Sequence, residues 1–253
     1  MKENFITFIG HSTLLIDIDG FTILTDPILT RWVYGIPRFK KASYDIEQLN
    51  KITDLILISH AHKDHLNKKT LKKISREIPI ATHKNNRKYV EKCEFDNIIE
   101  FKYWQKKEFA NGRIKITCVP ASHAKTLPWG PIGTSGGFVI ESPKLNIYFA
   151  GDTSFSKELL YEINVKFKIN IMLMPVGSYS PRWMLKNEHT NPQEALKAFE
   201  ILGADKMIPI HWGSFMLAFD TPKKSVKILK KMIKGTKLEE KVVVLKNGET
   251  FSF

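Results

Sequence analysis

The sequence contains little cysteine and no long apolar run, and both absences narrow the class of protein. Of its 253 residues two are cysteines, Cys93 and Cys118, which lie far apart without a paired spacing. No stretch approaches the roughly 18 consecutive apolar residues of a membrane-spanning helix. The first residues read as a β-strand rather than a secretory signal, because His11 and Asp17 interrupt them and no small-residue cleavage site follows. We therefore predict a reduced, cytoplasmic globular protein.

Acidic residues are scarce relative to basic ones. The chain has 39 Lys and Arg against 26 Asp and Glu, which gives a net charge of +13. Such a surface can attract nucleic acid, anionic lipid or anionic small substrates. The lysines are spread along the whole chain, in runs such as 67–73 and 223–231, which is typical of solvated helix faces. Nucleic acid is therefore not the expected partner, whereas peripheral contact with a membrane stays open, as does the oligomeric state.

Apolar runs and turn signals predict a mixed α/β chain. A length of 253 residues suits one large α/β domain or two small ones, and no linker divides this chain. The patterns predict strands at Phe5–Asp17, Phe21–Thr25, Asp54–Ser59, Ile78–Thr82, Arg113–Val119, Phe138–Ile140, Asn146–Ala150, Ile169–Pro175 and Lys206–Ile210. They predict helices at Asn67–Glu77, Pro192–Leu202 and Ser225–Lys234, and a closing hairpin of Lys241–Leu245 with Glu249–Phe253.

A weak internal repeat runs through these elements. A hairpin ending in Asp26, a strand, a helix and a second strand are followed later by a hairpin ending in Asp152 and the same order of elements. Two such halves would stack sheet against sheet with their helices outside, as one domain over residues 1–253. The strand ends of both halves would then meet along one edge. That edge would collect His60, Asp152 and His211, each just past an apolar strand.

The stretch ILISHAHKDHL at residues 56–66 places three histidines and an aspartate within six residues. His60 ends a buried strand, and His62 points to the same side in extended backbone. Asp64 and His65 follow as the chain turns into a helix. Neutral imidazole and carboxylate suit Zn²⁺ and similar divalent ions. With His123, Asp152 and His211, which also follow predicted strands, the chain offers more ligands than one tetrahedral ion needs. This excess favours two metal ions with an open position where water can be activated.

These residues resemble a known signature. The stretch from His60 to His65 resembles the H-x-H-x-D-H motif of the metallo-β-lactamase superfamily, and Thr25-Asp26-Pro27 resembles its early TDP turn. His123, Asp152 and His211 fall in the order of its remaining ligands. The resemblance covers nearly the whole chain and implies a four-layer αββα sandwich.

The same resemblance implies which residues hold each metal ion. It assigns His60, His62 and His123 to one ion, Asp64, His65 and His211 to the other, and Asp152 to a bridging position. Asp64 is also implied to be catalytic, orienting the attacking water. Zinc is the expected metal, with manganese, iron or nickel as alternatives.

Finer motifs resemble the N-acyl-phosphatidylethanolamine-hydrolysing phospholipase D group, with the ascorbate-6-phosphate lactonase branch a more distant relative. They are GHST (10–13), PRF (37–39), GDT (151–153), PVGSY (175–179), PRWM (181–184), NPQEA (191–195) and HWGSF (211–215). This likeness implies a phospholipase D-like phosphodiesterase that acts on a small or lipid-derived phosphodiester. A lactonase or other carboxylic-ester hydrolase, a nuclease, and a non-catalytic metal-binding sensor or scaffold remain alternatives.

Five further residues are candidates for the substrate side of the site. His189 precedes a helix and could bind substrate or act as a general acid, or simply be a polar residue at the helix start. Arg182 could hold a phosphate bidentately or lie on the surface. His11 is expected near the metals, as substrate contact or as support for a ligand. Tyr179 and Trp212 are candidates for the pocket wall, or for the core.

Overall fold

The computed structural model describes residues 3–123 and 133–253. Its strands are β1 (Phe5–Gly10), β2 (Thr13–Ile18), β3 (Phe21–Thr25), β4 (Trp32–Val33), β5 (Ile36–Pro37), β6 (Leu55–Ile58), β7 (Ile80–His83), β8 (Ile98–Phe101), β9 (Lys106–Phe109), β10 (Ile114–Pro120), β11 (Gly136–Glu141), β12 (Asn146–Phe149), β13 (Ile171–Pro175), β14 (Lys206–Ile210) and β15 (Thr250–Ser252). Its α-helices are α1 (Ile46–Ile52), α2 (Lys68–Leu71), α3 (Arg87–Glu91), α4 (Lys157–Lys166), α5 (Arg182–Leu185), α6 (Pro192–Leu202) and α7 (Lys224–Ile233), with a 3₁₀ turn at Lys84–Asn86.

The strands form two main sheets and a small hairpin. In the described ranges the first sheet has the order β15-β1-β2-β3-β6-β7-β8, the second has the order β14-β13-β12-β11-β10-β9, and β4 pairs with β5. In the first sheet β1, β2 and β3 are antiparallel, and β3, β6, β7 and β8 are parallel. In the second, β9 to β12 are antiparallel, and β12, β13 and β14 are parallel. Parallel strands bring their carboxyl ends to one edge of each sheet.

Three apolar layers show that the sheets face each other with helices outside. Ile16 on β2 and Leu173 on β13 belong to the layer between the sheets. Their neighbours along each strand point the opposite way, as the two-residue period of a strand requires: Leu15 packs with residues of α1, α2 and α3, and Met172 packs with residues of α4, α6 and α7. The predicted αββα sandwich is confirmed. Strands buried on both faces also explain the continuous apolar runs in the sequence.

Two predicted elements differ from the structure. The single strand predicted at Phe5–Asp17 is two antiparallel strands, β1 and β2, which reverse at His11 and Ser12. Gly10 and His11 have φ of 125° and 60°, so the chain turns where the apolar pattern continues. The prediction of a closing hairpin is also wrong, because its two segments pair with different sheets. β15 pairs with β1 of the first sheet, while Val242 bridges to Met207 of the second.

The helix predictions succeed where the caps are clear. The helix predicted at Pro192–Leu202 is α6, with Asn191 and Glu194 forming its capping box and Gly203 ending it at a φ of 59°. The helix predicted at Asn67–Glu77 ends as α2 at Leu71, and turns follow. None of the helices in the described part of the chain combines the length and the apolar character needed to cross a bilayer.

Gly177 lies two residues beyond β13, where it packs closely against the backbone of His211 just after β14. A Cβ at this position would overlap the backbone carbonyl oxygen of His211. We expect Gly177→Ala to force the two strand ends apart and destabilise the fold by about 2–4 kcal/mol. Gly235→Ala is the matched control, because it meets no atom within 4 Å and carries the strain of a φ of +70° alone, roughly 1–2 kcal/mol. Thermal unfolding of both variants checks this, and equal melting temperatures would contradict it.

Candidate metal centre

The predicted ligands converge where the two sheets end. His60 lies two residues beyond β6, His211 directly follows β14, His123 lies three residues beyond β10, and Asp152 lies three residues beyond β12. The apolar core fixes each of these strands, so short connections hold the side chains in place. Of these four residues the most exposed is His123, at 8%. The structure thus brings together the strand ends that the internal repeat predicted to meet.

One group of nitrogen atoms comes from His60, His62 and His123. Nε2 of His60 lies 3.0 Å from Nδ1 of His62, which lies 3.3 Å from Nε2 of His123. Bonds of about 2.0–2.1 Å to a tetrahedral zinc ion place neighbouring ligand atoms about 3.4 Å apart. The observed spacing therefore fits three ligands of one metal ion.

A second group consists of Asp64, His65, His211 and Asp152. Oδ2 of Asp152 lies 3.0 Å from Nε2 of His65 and 3.2 Å from Nε2 of His211. Oδ2 of Asp64 lies 3.5 Å from Nε2 of His211 and 3.7 Å from Nε2 of His65. The Asp152 oxygen is also 4.0 Å from Nε2 of His60, so this carboxylate lies between the two groups.

Several of these atoms are buried with no hydrogen bond to the described residues. They are Nε2 of His65, both carboxylate oxygens of Asp152, Nδ1 of His189 and both ring nitrogens of His211. Although some face each other at about 3 Å, their angles are not those of a hydrogen bond. Buried polar atoms are almost always satisfied, and buried charges need a partner. A divalent cation between these residues would supply that partner, so the donor set fits a metal.

Hydrogen bonds on the far side of two rings fix which nitrogen faces the site. Nδ1 of His65 lies 2.6 Å from Oδ2 of Asp26, and that carboxylate also accepts hydrogen bonds from the amide and hydroxyl of Ser59. Nδ1 of His123 lies 2.7 Å from the carbonyl of Glu188. Such contacts orient metal-binding imidazoles and set their tautomer. The Thr25-Asp26-Pro27 turn can be identified from the sequence. The contact of Asp26 with His65 cannot, because the two residues are 39 positions apart in the chain.

Burial and neighbouring charges keep most of the predicted ligands in the protonation state that binds a cation. Burial lowers the pKa of His62 to about 4, and burial together with neighbouring histidines holds the pKa of His60 well below its usual value. Burial alone would raise the pKa of Asp152, but His211 and His65 outweigh it and hold that pKa well below its usual range. His65 and His211 differ. Burial lowers the pKa of each, but Asp152 and other carboxylates outweigh burial, so that the pKa of His211 rises to about 9 and that of His65 rises well above its usual value. A metal ion would displace a proton there.

A cavity of about 460 Å³ opens onto this site. The groups of the site on its wall belong to His62, Asp64, His123, Asp152, His189 and His211. The other described lining residues are Tyr34, Ser178, Ser180, the acidic Glu188 and a larger apolar set of Ile36, Met184, Leu185, Met216, Leu217, Ala218 and Phe219. None of the described lining residues is lysine or arginine. The described wall therefore carries no fixed positive charge, although the whole chain has a net charge of +13.

His189 and His11 lie on different sides of the carboxylates. His189 lines the cavity, with Nδ1 3.7 Å from Oδ2 of Asp152, and burial holds its pKa well below its usual value. His11 is 2% exposed and is not among the described lining residues. Its Nε2 lies 3.2 Å from Oδ2 of Asp64, and its ring centroid lies 4.0 Å from that of His211. His11 therefore supports two predicted ligands and does not contact the cavity.

The substrate contacts predicted for Arg182, Tyr179 and Trp212 are not found, because none of the three is among the described residues that line the cavity. The Arg182 guanidinium donates hydrogen bonds to the carbonyl of His189 at 2.6 Å and to Glu194 at 2.5 Å. It thereby ties the loop that carries His189 to the first turn of α6.

The side chain of Trp212 packs against the apolar core. Its indole donates a hydrogen bond to the carbonyl of Pro209, and its ring stacks on Phe8 with centroids 5.5 Å apart. Tyr179 is not among the described lining residues, although its neighbours Ser178 and Ser180 are. One sequence could not separate these cases, because each depends on which side of a loop faces the site.

Known proteins resemble the chain in both sequence and fold. A family model described as "Beta-lactamase superfamily domain" matches residues 22–212. The chain is 29% identical, over 83% of its length, to N-acyl-phosphatidylethanolamine-hydrolyzing phospholipase D 1 of Caenorhabditis elegans, and spans 64% of that protein. It is 28% identical, over 98% of its length, to a metal-dependent hydrolase of Hyperthermus butylicus, and covers 99% of it. A possible metal-dependent hydrolase from Veillonella parvula has the same fold, with a TM-score of 0.86 over 100% of both chains at 19% identity.

Removal of metal should destabilise this protein. With a free metal concentration a hundredfold above its dissociation constant, binding stabilises the fold by about 2.7 kcal/mol, which corresponds to a melting-temperature shift of roughly 5–10 °C. We expect chelation to lower the melting temperature and added Zn²⁺ or Mn²⁺ to restore it. His62→Ala should reduce this shift, whereas His83→Ala, at a buried histidine outside the two groups, should retain it. An unchanged melting temperature after verified metal removal would contradict the account.

Proposed function

Because the chain belongs to the β-lactamase superfamily, with the metallo-β-lactamase fold of a metal-dependent hydrolase, we propose that it is a dinuclear phosphodiesterase of phospholipase D-like type. Its substrate would be a small or lipid-derived phosphodiester that carries an apolar substituent. The observation that carries this proposal is the cavity with metal-ligand side chains at one side and apolar walls around them.

The two groups of side chains support a site for two ions. In this proposal His60, His62 and His123 would hold one ion, Asp64, His65 and His211 would hold the other, and Asp152 would contact both. Zinc is the first choice for this donor set, with manganese, iron and nickel as alternatives. Two bound ions supply an activated water near neutral pH and stabilise negative charge on the reacting group.

Asp64 and His189 have distinct tasks in the proposed reaction. Asp64 lines the cavity while Nε2 of His11 holds its Oδ2, so its carboxylate can accept a hydrogen bond from the attacking water and orient it. The lowered pKa keeps the His189 ring neutral near pH 7. Its N–H can then donate to an oxygen on which negative charge develops. Arg182 keeps this ring in position through the His189 carbonyl.

The cavity wall favours an apolar substrate over nucleic acid. Proteins hold the successive phosphates of a nucleic acid with basic side chains and backbone amides, and no lysine or arginine is among the described lining residues. The rim instead exposes Phe219 at 74% and Met184 at 50%, with Trp183 next in the chain exposed at 80%. Such residues on a protein of charge +13 suit peripheral contact with an anionic lipid surface. The relative from Caenorhabditis elegans is named for a phospholipid substrate.

A carboxylic-ester or lactone hydrolase is the second candidate. One observation favours it: the described wall offers no fixed cation to pair with a phosphate. An ester carries no charge before the reaction and passes through an anionic intermediate that the same centre would stabilise. A non-catalytic sensor or scaffold is less consistent with the site, because Oδ2 of Asp64 and Oδ2 of Asp152 lie 3.5 Å and 3.2 Å from the same nitrogen, Nε2 of His211.

Hydrolysis of bis(p-nitrophenyl) phosphate by protein loaded with Zn²⁺ or Mn²⁺ tests the proposal. We expect metal-dependent turnover that Asp64→Asn reduces at least about 100-fold, because the amide cannot accept and orient the water proton in the same way. Asp96→Asn, at an exposed aspartate, serves as the control and should keep the wild-type rate.

A parallel assay with p-nitrophenyl butyrate separates the two candidates. Turnover of the ester without turnover of the phosphodiester, in protein shown to carry two ions, would favour the second candidate. A full rate for Asp64→Asn on either substrate would contradict the role of Asp64.

A further inference from the structure

Two loops supply most of the described wall of the cavity. The first loop, residues 176–191, connects β13 to α6 and carries Ser178, Met184 and His189. The second loop, residues 211–223, connects β14 to α7 and contributes an apolar stretch at 216–219. Neither loop, both fully described, contains a strand. Contacts between the two loops must therefore fix the shape of the wall.

Asp220 joins the two loops through backbone hydrogen bonds. Its Oδ2 accepts a hydrogen bond of 2.9 Å from the N–H of Ser178, and its Oδ1 accepts one of 3.2 Å from the N–H of Ser180. The N–H of Phe219 donates to the carbonyl of Ser180 at 3.0 Å. The Asp220 carboxylate thus bridges two residues of the first loop while the backbone beside it forms a third connection.

The position of this carboxylate is unusual for an aspartate. Asp220 is 5% exposed and forms no ion pair with the described residues, so backbone amides satisfy it. A buried carboxylate is costly unless such hydrogen bonds compensate its lost hydration. Ser178, one of the two donors, has a φ of 59°. Serine seldom adopts this left-handed conformation unless its surroundings hold it, and Asp220 supplies that support.

The part of the second loop that faces the cavity is held at both of its ends. At one end Gly177 packs against the backbone of His211, and at the other end Asp220 binds the first loop. Between these two points Met216 and Phe219 line the cavity although they are 40% and 74% exposed. Side chains so exposed have little packing to fix them. Their position depends on the backbone connections at the two ends.

We propose that Asp220 is a positioning residue that determines how tightly the cavity binds the apolar substituent of a substrate. By joining the two loops it keeps their apolar side chains in place around the cavity. The carboxylate is not among the described lining residues, so it acts through the backbone of residues that are. The inference rests on the proposed function only in that the substrate carries an apolar substituent.

Octyl phosphate and inorganic phosphate separate the apolar wall from the metal centre, because they share a headgroup and differ by a chain. Calorimetry on the metal-loaded protein gives the ratio of their affinities, and each buried CH₂ group strengthens binding up to about fourfold. We expect the wild type to bind octyl phosphate at least about 30-fold more tightly than phosphate.

Asp220→Asn keeps the shape of the side chain and one acceptor oxygen, but its NH₂ group cannot accept the second backbone hydrogen bond. We expect the affinity ratio to fall about 5–15-fold, as one or two CH₂ groups of the chain lose their contact. The affinity for phosphate and the metal content should stay within about twofold of the wild type, because the metal centre is not changed.

Asp54→Asn is the matched control. Asp54 also accepts a backbone hydrogen bond, from the N–H of Thr22 at 2.7 Å, but it lies in the first half of the chain and is not among the described lining residues. The same chemical change there should leave the affinity ratio of the wild type intact.

Three outcomes would overturn the assignment. A ratio for Asp220→Asn within about twofold of the wild type would show that the wall does not need this connection. Loss of metal, of phosphate binding or of folding would show that Asp220 supports the whole site and not its apolar wall in particular. A wild-type ratio near one would show that the wall binds no chain. None of these measurements needs turnover, so a failure of the hydrolase proposal is visible separately in the chromogenic assays.

Discussion

The rest of the structure depends on a cluster of buried histidines and carboxylates. Several polar atoms of this cluster have no hydrogen-bond partner among the described residues. Asp152 and His211 are each 1% exposed, and both carboxylate oxygens of Asp152 lack a hydrogen bond to the described residues. Without a cation such a cluster is held together by protons and ion pairs, as the raised pKa of His211 indicates. A divalent ion bound among these groups would compensate the free-energy cost of burying them and would itself be held tightly. In the proposed account, a cation between the two sheet ends offsets the cost of burying these groups together.

The fold holds the predicted ligands in place through rigid strands and through polar contacts behind them. β6, β10, β12 and β14 are buried in the apolar layers, so the residues just beyond their ends vary little in position. Asp26, Glu188 and His11 then orient individual ligands through single hydrogen bonds. Gly177 allows the backbones of β13 and β14 to approach at this edge. Catalytic precision of this kind requires support behind the ligands as much as the ligands themselves.

Much of this arrangement is readable from one sequence, for identifiable reasons. The sandwich and the ligand cluster follow from apolar strands that end in histidine or aspartate, a signal that is local in the chain. Arg182 was harder, because its partners Glu194 and the carbonyl of His189 become neighbours only when α5 folds against α6. Tyr34, which also lines the cavity, has no signal in the sequence, since it lies in a short hairpin that apolar periodicity does not reveal. The reversal at His11 was missed because a turn of polar residues is embedded in a continuous apolar run.

Anomalous diffraction from crystals of the metal-loaded protein tests the central claim most directly. The account predicts two peaks about 3.5–4 Å apart, one between His60, His62 and His123, the other between Asp64, His65 and His211, with Asp152 in contact with both. A single peak at full occupancy under excess metal would contradict the dinuclear assignment. Two peaks with Asp152 bound to neither ion would contradict the position given to that carboxylate.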